Sequence, residues 1–226
     1  MKITSFNKFI TSAFLAAAVT LLAAAPTAQA AEVSPLSFEI STAYDSAGDK
    51  LYDESGKVNT IGVELTGVYA LDESKAITLR LGVGYGSHET EYTVHDDYYF
   101  GYDDYVFTDK YSLIRVNLMP GFRYTMSLSD KAKCFAGVNA GLVFQNVTNE
   151  WTEDGDSDSK NANSIGLGYS AEIGFIYNFS ERVSVLAAYQ FSGSTNKTEL
   201  DWGDGVKSTS KQQSYNTIRA GVSIRF

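Results

Sequence analysis

The chain is short of cysteine, histidine and basic residues, and its only long apolar run lies near the N-terminus. A single cysteine, Cys134, excludes a disulfide within the chain. Lys and Arg number 18 against 27 Asp and Glu, and the resulting formal charge of -9 argues against nucleic acid as a partner. After residue 25 no apolar run is long enough to cross a membrane as a helix, so only a closed barrel of strands could span one.

The N-terminus has the three parts of a bacterial export signal. Lys2 and Lys8 make a basic start, Phe9 to Ala25 is rich in Ala and Leu, and Ala28-Gln29-Ala30 is a small-residue cleavage site. A retained membrane anchor is the rival interpretation, although the run is at the short limit for one. We therefore predict a cleaved signal peptide over residues 1–30 and a barrel domain over residues 31–226.

The last thirteen residues alternate apolar and polar side chains up to a terminal aromatic residue. One parity suits hydrocarbon and the other suits a polar interior, which is typical of a membrane-facing strand. The pattern resembles the C-terminal sorting strand of bacterial outer-membrane β-barrels. The apolar positions are Ile218, Ala220, Val222, Ile224 and Phe226.

Seven earlier segments show the same alternation, and each exceeds the roughly 9–11 residues that a tilted strand needs to cross a bilayer. Short turns at 72–75, 127–132 and 180–182 alternate with long polar loops at 46–59, 88–109, 148–163 and 195–208. Outer-membrane barrels place short turns in the periplasm and long loops outside. The predicted strands are 36–44, 60–71, 76–87, 110–126, 133–147, 164–179, 183–194 and 214–226.

A soluble eight-stranded barrel of lipocalin type would bury its apolar parity and expose the polar one. Here the polar parity is small and glycine-rich, as a narrow lumen requires. The apolar parity carries aromatic residues near both ends of the strands, for example Tyr44 and Phe226. These two belts resemble the aromatic girdles of membrane barrels. The alternation therefore favours the membrane barrel.

From about Pro35 to Phe226 the chain resembles the small eight-stranded outer-membrane proteins related to OmpX, Ail and the OmpA membrane domain. The resemblance implies an all-β fold, an antiparallel up-and-down transmembrane barrel in the outer membrane. It also implies a monomer without cofactors, embedded in outer-membrane lipid and lipopolysaccharide. Members serve in adhesion, serum resistance or envelope integrity, and some form narrow channels. The barrel-assembly machinery would recognise the last strand through Ile218, Val222, Ile224 and Phe226.

Charged residues on the polar parity predict a belt inside the barrel. Counted from the turn end of each strand they lie at similar depth, so we expect them to share one level. Buried charges are tolerated when they are paired and hydrogen-bonded, which favours a structural plug over an ion pathway. The belt residues are Glu64, Arg80, Arg123, Glu172 and Arg219.

The loops are the predicted contact surfaces. The longest interleaves acidic and aromatic residues, a composition that could extend its hairpin beyond the membrane and hold an extracellular protein ligand. A solvated loop without a ligand is the alternative. The candidates are Tyr92, Asp96, Asp97, Tyr98, Tyr99, Tyr102, Asp103, Asp104 and Tyr105.

The third loop spaces Asp154, Asp156 and Asp158 at every second position, which can collect Ca²⁺ or Mg²⁺. An EF-hand needs Gly where Ser159 stands and Glu where Ile165 stands, so a solvated acidic loop is favoured.

Enzymatic activity is not predicted. Small outer-membrane lipid A deacylases have a His-x-Ser element, whereas the histidines here read His88-Glu-Thr90 and His95-Asp-Asp97. The omptin proteases have ten strands and an Asp-x-His element, and this sequence predicts neither. No catalytic residue is assigned. A narrow channel remains the first alternative function, and a lipid A-modifying enzyme the second.

Overall fold

A computed structural model describes residues 35–52, 56–96, 103–153, 156–203, 206–210 and 212–226. The predicted signal peptide lies outside these residues. Within them, no helix is long and apolar enough to cross a membrane.

Eight strands form a closed antiparallel barrel, as the alternation predicted. Each strand pairs with its neighbours in sequence, and the ring closes where the first strand pairs with the last. The barrel strands are β1 (Leu36–Ala47), β2 (Thr60–Ala70), β3 (Lys75–Asp96), β4 (Asp103–Ser127), β5 (Ala132–Glu153), β6 (Asp156–Asn178), β7 (Val183–Ser194) and β10 (Ser214–Arg225). A small separate hairpin, β8 (Glu199–Gly203) with β9 (Val206–Thr209), lies in the last loop.

Closure of the ring is fastened at the turn end by aromatic contact. The backbone N–H of Phe226 donates to the carbonyl of Leu36 over 3.5 Å. The ring of Phe226 meets that of Phe38 edge-on, with centroids 5.8 Å apart. The first and last strands of the barrel are therefore joined at the turn end by both backbone and side-chain contacts.

The two parities of each strand face opposite environments. Outward apolar side chains are open, with Ile61 at 70% and Ile165 at 72% exposure, while inward Arg80 and Arg219 are at 0%. A soluble barrel would show the reverse. This barrel has an apolar outer wall and a largely polar core.

Most residues of the predicted loops 88–109 and 148–163 continue the strands, an extension that the sequence indicated for the first of them and not for the second. β3 to β6 have 22, 25, 22 and 23 residues, whereas β1, β2, β7 and β10 have 12, 11, 12 and 12. Beyond the apolar wall the strands remain paired, although most residues on both of their faces are polar. Cross-strand pairs such as Glu89 opposite Lys110 keep the strands in register. Half of the barrel therefore carries a projecting four-stranded sheet.

Pro120 lies within β4, where it removes one ladder donor. Pairing with β5 stops at Leu118 opposite Leu142 and resumes at Gly121 opposite Asn139. From one pair to the next, both strands advance by three residues, so the register does not shift.

Candidate functional site

The structure brings the five predicted belt residues together inside the barrel. Glu172 lies at the centre: its Oε2 is 2.7 Å from Nη2 of Arg80 and 2.6 Å from Nη2 of Arg219. Glu64 bridges the same two arginines, with its Oε2 3.2 Å from Arg219 and 3.6 Å from Arg80. All four side chains are buried, so the attraction is screened little by water.

Arg123 joins the belt through a partner that the belt prediction omitted. Its guanidinium donates to both carboxylate oxygens of Glu39, over 2.5 and 2.9 Å, and lies 3.5 Å from Glu172. The same guanidinium stacks on the ring of Phe135, 4.3 Å from its centroid. Three arginines and three glutamates thus form one charge-balanced network.

A second charged pair, also outside the prediction, lies nearer the loop end. Arg115 pairs with Asp45, and its guanidinium is 3.7 Å from the ring centroid of Tyr215. Thr217 and Thr60 donate to the two oxygens of Asp45 over 2.5 and 2.6 Å. This tier is also neutral and hydrogen-bonded.

An apolar cap covers the lumen above the second pair. It combines inward residues of the strands with residues from the loop after β1 and from β8. Because these residues are almost wholly buried, the cap fills the loop-end mouth of the barrel. The cap residues are Ala47, Leu51, Tyr52, Val58, Leu113, Val147, Leu200 and Tyr215.

Polar clamps hold the capping loop in place. The side-chain amide of Gln212 accepts from the N–H of Val58 over 2.9 Å and donates to its carbonyl over 2.6 Å. The hydroxyl of Ser214 donates to Asp49 over 2.6 Å, and this bond keeps the pKa of Asp49 below its ordinary value. Burial, followed by the charge of Tyr111, raises the pKa of Tyr52.

Glycines make the space that the charged network fills. A Cβ on Gly137 would lie 3.0 Å from Oε1 of Glu172. A Cβ on Gly174 would collide with the ring of Phe135. The lumen of an eight-stranded barrel is narrow. Long side chains can cross it only where neighbouring inward positions are glycine and have no side chain.

A cavity of about 510 Å³ opens at the turn end of the lumen. Its inner end is formed by Arg123 and Glu39, and its rim includes residues of the turn after β2. Between the two charged tiers the free space is only about 20 Å³, roughly that of one water molecule.

Five of the nine predicted surface-loop candidates belong to the described part of the β3–β4 hairpin. Asp97, Tyr98, Tyr99 and Tyr102 lie outside the described residues. The backbones of Tyr92, Asp96, Asp103, Asp104 and Tyr105 belong to the two strands, in register with one another.

Of the predicted cation ligands, Asp154 lies outside the described residues and the backbone of Asp156 belongs to β6. Asp158 is exposed and lies 3.7 Å from Lys160. Among the residues that the structure describes, no group of three His, Cys, Asp or Glu could hold a metal ion.

Parity alone could have found Glu39, Asp45 and Arg115, since all three stand at inward positions. The depth count excluded Glu39 because it ignored the tilt and stagger of barrel strands, which place residues of unequal count at one height. Arg115 and Asp45 form a second tier nearer the loop end, and a search for charges at one level does not include them. No sequence signal marked Leu51, Val58 or Leu200, which cap the lumen from connecting segments.

The model of the outer membrane protein beta-barrel domain family matches residues 14–226. The chain belongs to this family. It is therefore an outer-membrane β-barrel protein, and its apolar wall faces the lipid of the outer membrane. Among curated proteins none matches this barrel.

Several solved structures are similar to this outer-membrane barrel, and the similarity concerns the fold alone. Neisserial surface protein A shares 15% identity, with 87% of this chain and 100% of that chain covered and a TM-score of 0.45. Ail, the attachment invasion locus protein of Yersinia pestis, shares 14%, with 85% and 99% covered and a TM-score of 0.45. The outer membrane protease OmpT from Escherichia coli shares 11%, with 88% and 99% covered and a TM-score of 0.46.

Proposed function

We propose that this outer-membrane barrel is a non-conducting anchor that presents the projecting sheet of β3–β6 to an extracellular protein. The observation that carries the proposal is the unequal height of the wall: four strands continue about ten residues past their neighbours. At about 3.4 Å per residue, this raises the hairpin tips on the order of 30 Å along the strands. Short turns of outer-membrane barrels lie in the periplasm, so these tips face outward.

The composition of the β3–β4 tip supports a contact role. Tyrosines offer large apolar area with a polar end at low entropic cost, and the adjoining acidic residues favour a partner with basic patches. Binding through this tip would serve adhesion or envelope integrity.

Three stacked obstructions support a closed lumen. The charge-balanced network and the pair of Arg115 with Asp45 occupy the section in which eight strands leave room only for side chains. The apolar cap lies above both.

Enzymatic activity is not part of the proposal. The inward acidic residues of the described chain are paired with arginines, which holds them as charged structural groups rather than as proton donors or acceptors for a substrate. His88 contacts Thr90 at 3.1 Å on the exposed part of β3.

Shortening one hairpin in register tests the contact role. Residues 90–109 would be replaced by Asn-Gly, so that Glu89 and Lys110, already opposite each other, close a two-residue turn. Binding of whole cells to immobilised matrix or host proteins is expected to fall at least tenfold. The matched control replaces residues 151–158 by Asn-Gly between Glu150 and Ser159 and should keep most of the binding. Unchanged binding after the first replacement would remove the adhesion proposal.

Planar-bilayer recording tests the closed lumen, which is the point on which the narrow-channel alternative differs. Purified wild-type barrel is expected to show no stable conductance. The variant L51S/R80S/E172S removes one cap residue and one neutral pair of belt charges, and it should produce discrete steps. Stable conductance steps from the wild-type barrel would contradict the proposal of a non-conducting anchor and support the narrow channel. Mass analysis of lipid A from cells with and without the protein separates the enzyme alternative.

A further inference from the structure

We propose that the turn-end cavity is a binding site for a small soluble anion of the periplasm that carries a carboxylate or phosphate group. The cavity of about 510 Å³ lies within the size range of small-molecule sites. The barrel wall encloses its sides, and the pair of Arg123 with Glu39 closes its inner end. It is therefore a blind pocket that opens toward the periplasm, and this inference does not depend on what the outer tips bind.

The lining is basic in a chain that is strongly acidic. Four basic side chains, Lys75, Arg123, Lys133 and Arg225, face three acidic ones, Glu39, Asp72 and Glu73. This excess of positive charge contrasts with a formal charge of -9 for the whole chain. An anion would therefore be attracted to this end of the barrel.

Two of the acidic residues are already neutralised. Both carboxylate oxygens of Glu39 accept from Arg123, and Asp72 is paired with Lys75 at 3.4 Å and accepts from the N–H groups of its own turn. Among the described residues, Lys133 and Arg225 have no ion-pair partner within 4.0 Å. These two cations are therefore available to a ligand.

Each available cation stands beside a hydroxyl group. Arg225 of β10 is directly opposite Ser37 of β1, and Lys133 of β5 is directly opposite Ser127 of β4. All four line the cavity. A cation with a neighbouring hydroxyl donor is a combination that recognises carboxylate or phosphate oxygens.

The two cation–hydroxyl pairs lie on different parts of the wall and face the same cavity. Between β5 and β10 the wall contains β6 and β7, and the strand pairing leads from Lys133 to Gly221, so Arg225 lies three strands away and four residues nearer the end of β10. Both side chains are long and lie on the inward parity of a curved wall, so they converge on the cavity. Thr125 and Ser223 add hydroxyl groups to its lining.

Inorganic phosphate is the probe for the test. It would be titrated at pH 7 into ¹⁵N-labelled barrel in uncharged maltoside micelles, with ionic strength held constant by chloride. We expect saturable amide shifts confined to Ser37, Thr125, Ser127 and Ser223. The variant K133Q/R225Q should weaken the binding at least tenfold while keeping the heat-modifiable gel mobility of a folded barrel.

The control variant K131Q/R182Q removes the same charge from residues that do not line the cavity. It should bind phosphate within twofold of the wild type. No saturable shift in the wild type, or an equal loss in both variants, would overturn the site. Nanodiscs of phosphatidylcholine with and without phosphatidylglycerol separate the sources of phosphate: if the anionic lipid alone produces the same shifts, the ligand is a headgroup and the soluble anion is wrong.

Discussion

Arg219 donates to Glu172 over 2.6 Å, inside the barrel and with neither side chain open to water. The same carboxylate also contacts Arg80 and Arg123, so one negative charge balances parts of three positive ones. Its removal would leave buried guanidinium groups with too few acceptors.

The substitution E172Q is therefore expected to destabilise the barrel by about 3–5 kcal/mol, the usual cost of breaking a buried pair from one side. Urea unfolding in lipid vesicles, followed by gel mobility, measures it. The control E150Q removes a partly exposed partner of Lys110 at 3.8 Å and should cost less than about 1 kcal/mol. Equal losses for the two variants would contradict the central role of Glu172.

Arg123 and Glu39 form a pair that can be removed as a unit. Either R123M or E39L alone leaves one buried charge, whereas the double variant leaves none. We expect the double variant to be more stable than either single one, with a coupling free energy of about 2 kcal/mol or more. A double-mutant cycle of unfolding free energies checks this, and additive effects would show that the pair is not coupled.

Substitution of glycine by alanine should be costly inside the crowded lumen and neutral on the lipid face. G174A places a Cβ against the ring of Phe135 and the backbone of Ala187, so we expect a loss of about 1–3 kcal/mol. Gly67 lies on the lipid face, and a Cβ there would be 3.8 Å from the ring of Phe38, so G67A should be neutral within about 0.5 kcal/mol. Thermal unfolding of both variants provides the comparison.

Asp72 gives a pH prediction at the turn end. Hydrogen bonds from Ser74, first of all from its backbone N–H, lower the pKa of Asp72 to about 2 from 3.8. Because the folded pKa is the lower one, the stabilising effect is complete above the unfolded pKa of 3.8 and disappears as the pH falls through about 2. Carboxyl ¹³C titration should show this midpoint, and S74A should move it upward. A midpoint near 4 in the wild type would contradict the turn geometry.

Alternation was enough to predict the barrel, its strand number and the face of each side chain, because period two leaves a strand only two orientations. It also located Glu172 and its arginines, because charged side chains at inward positions of a narrow barrel must pair with one another inside the lumen. Arg115 and Asp45 were missed because the prediction concerned charges at one level, and this pair lies in a second tier nearer the loop end. The alternation of acidic and aromatic residues indicated that the β3–β4 hairpin could extend, whereas the extension of β5 and β6 was missed because polar residues on both faces of a strand resemble a loop. The capping role of Leu51 and Val58 depends on a loop that returns into the mouth, which no periodicity describes.

The unequal wall has a further consequence for how the molecule meets its neighbours. A barrel of even height would look alike from every side of the membrane plane, but here β1, β2, β7 and β10 end where β3 to β6 continue. A bulky ligand can approach over the low strands, while the tall strands screen the opposite approach. The protein therefore has a front and a back in the plane of the membrane. Clustering or rotation of barrels in the lipid would change which extracellular ligands can reach it.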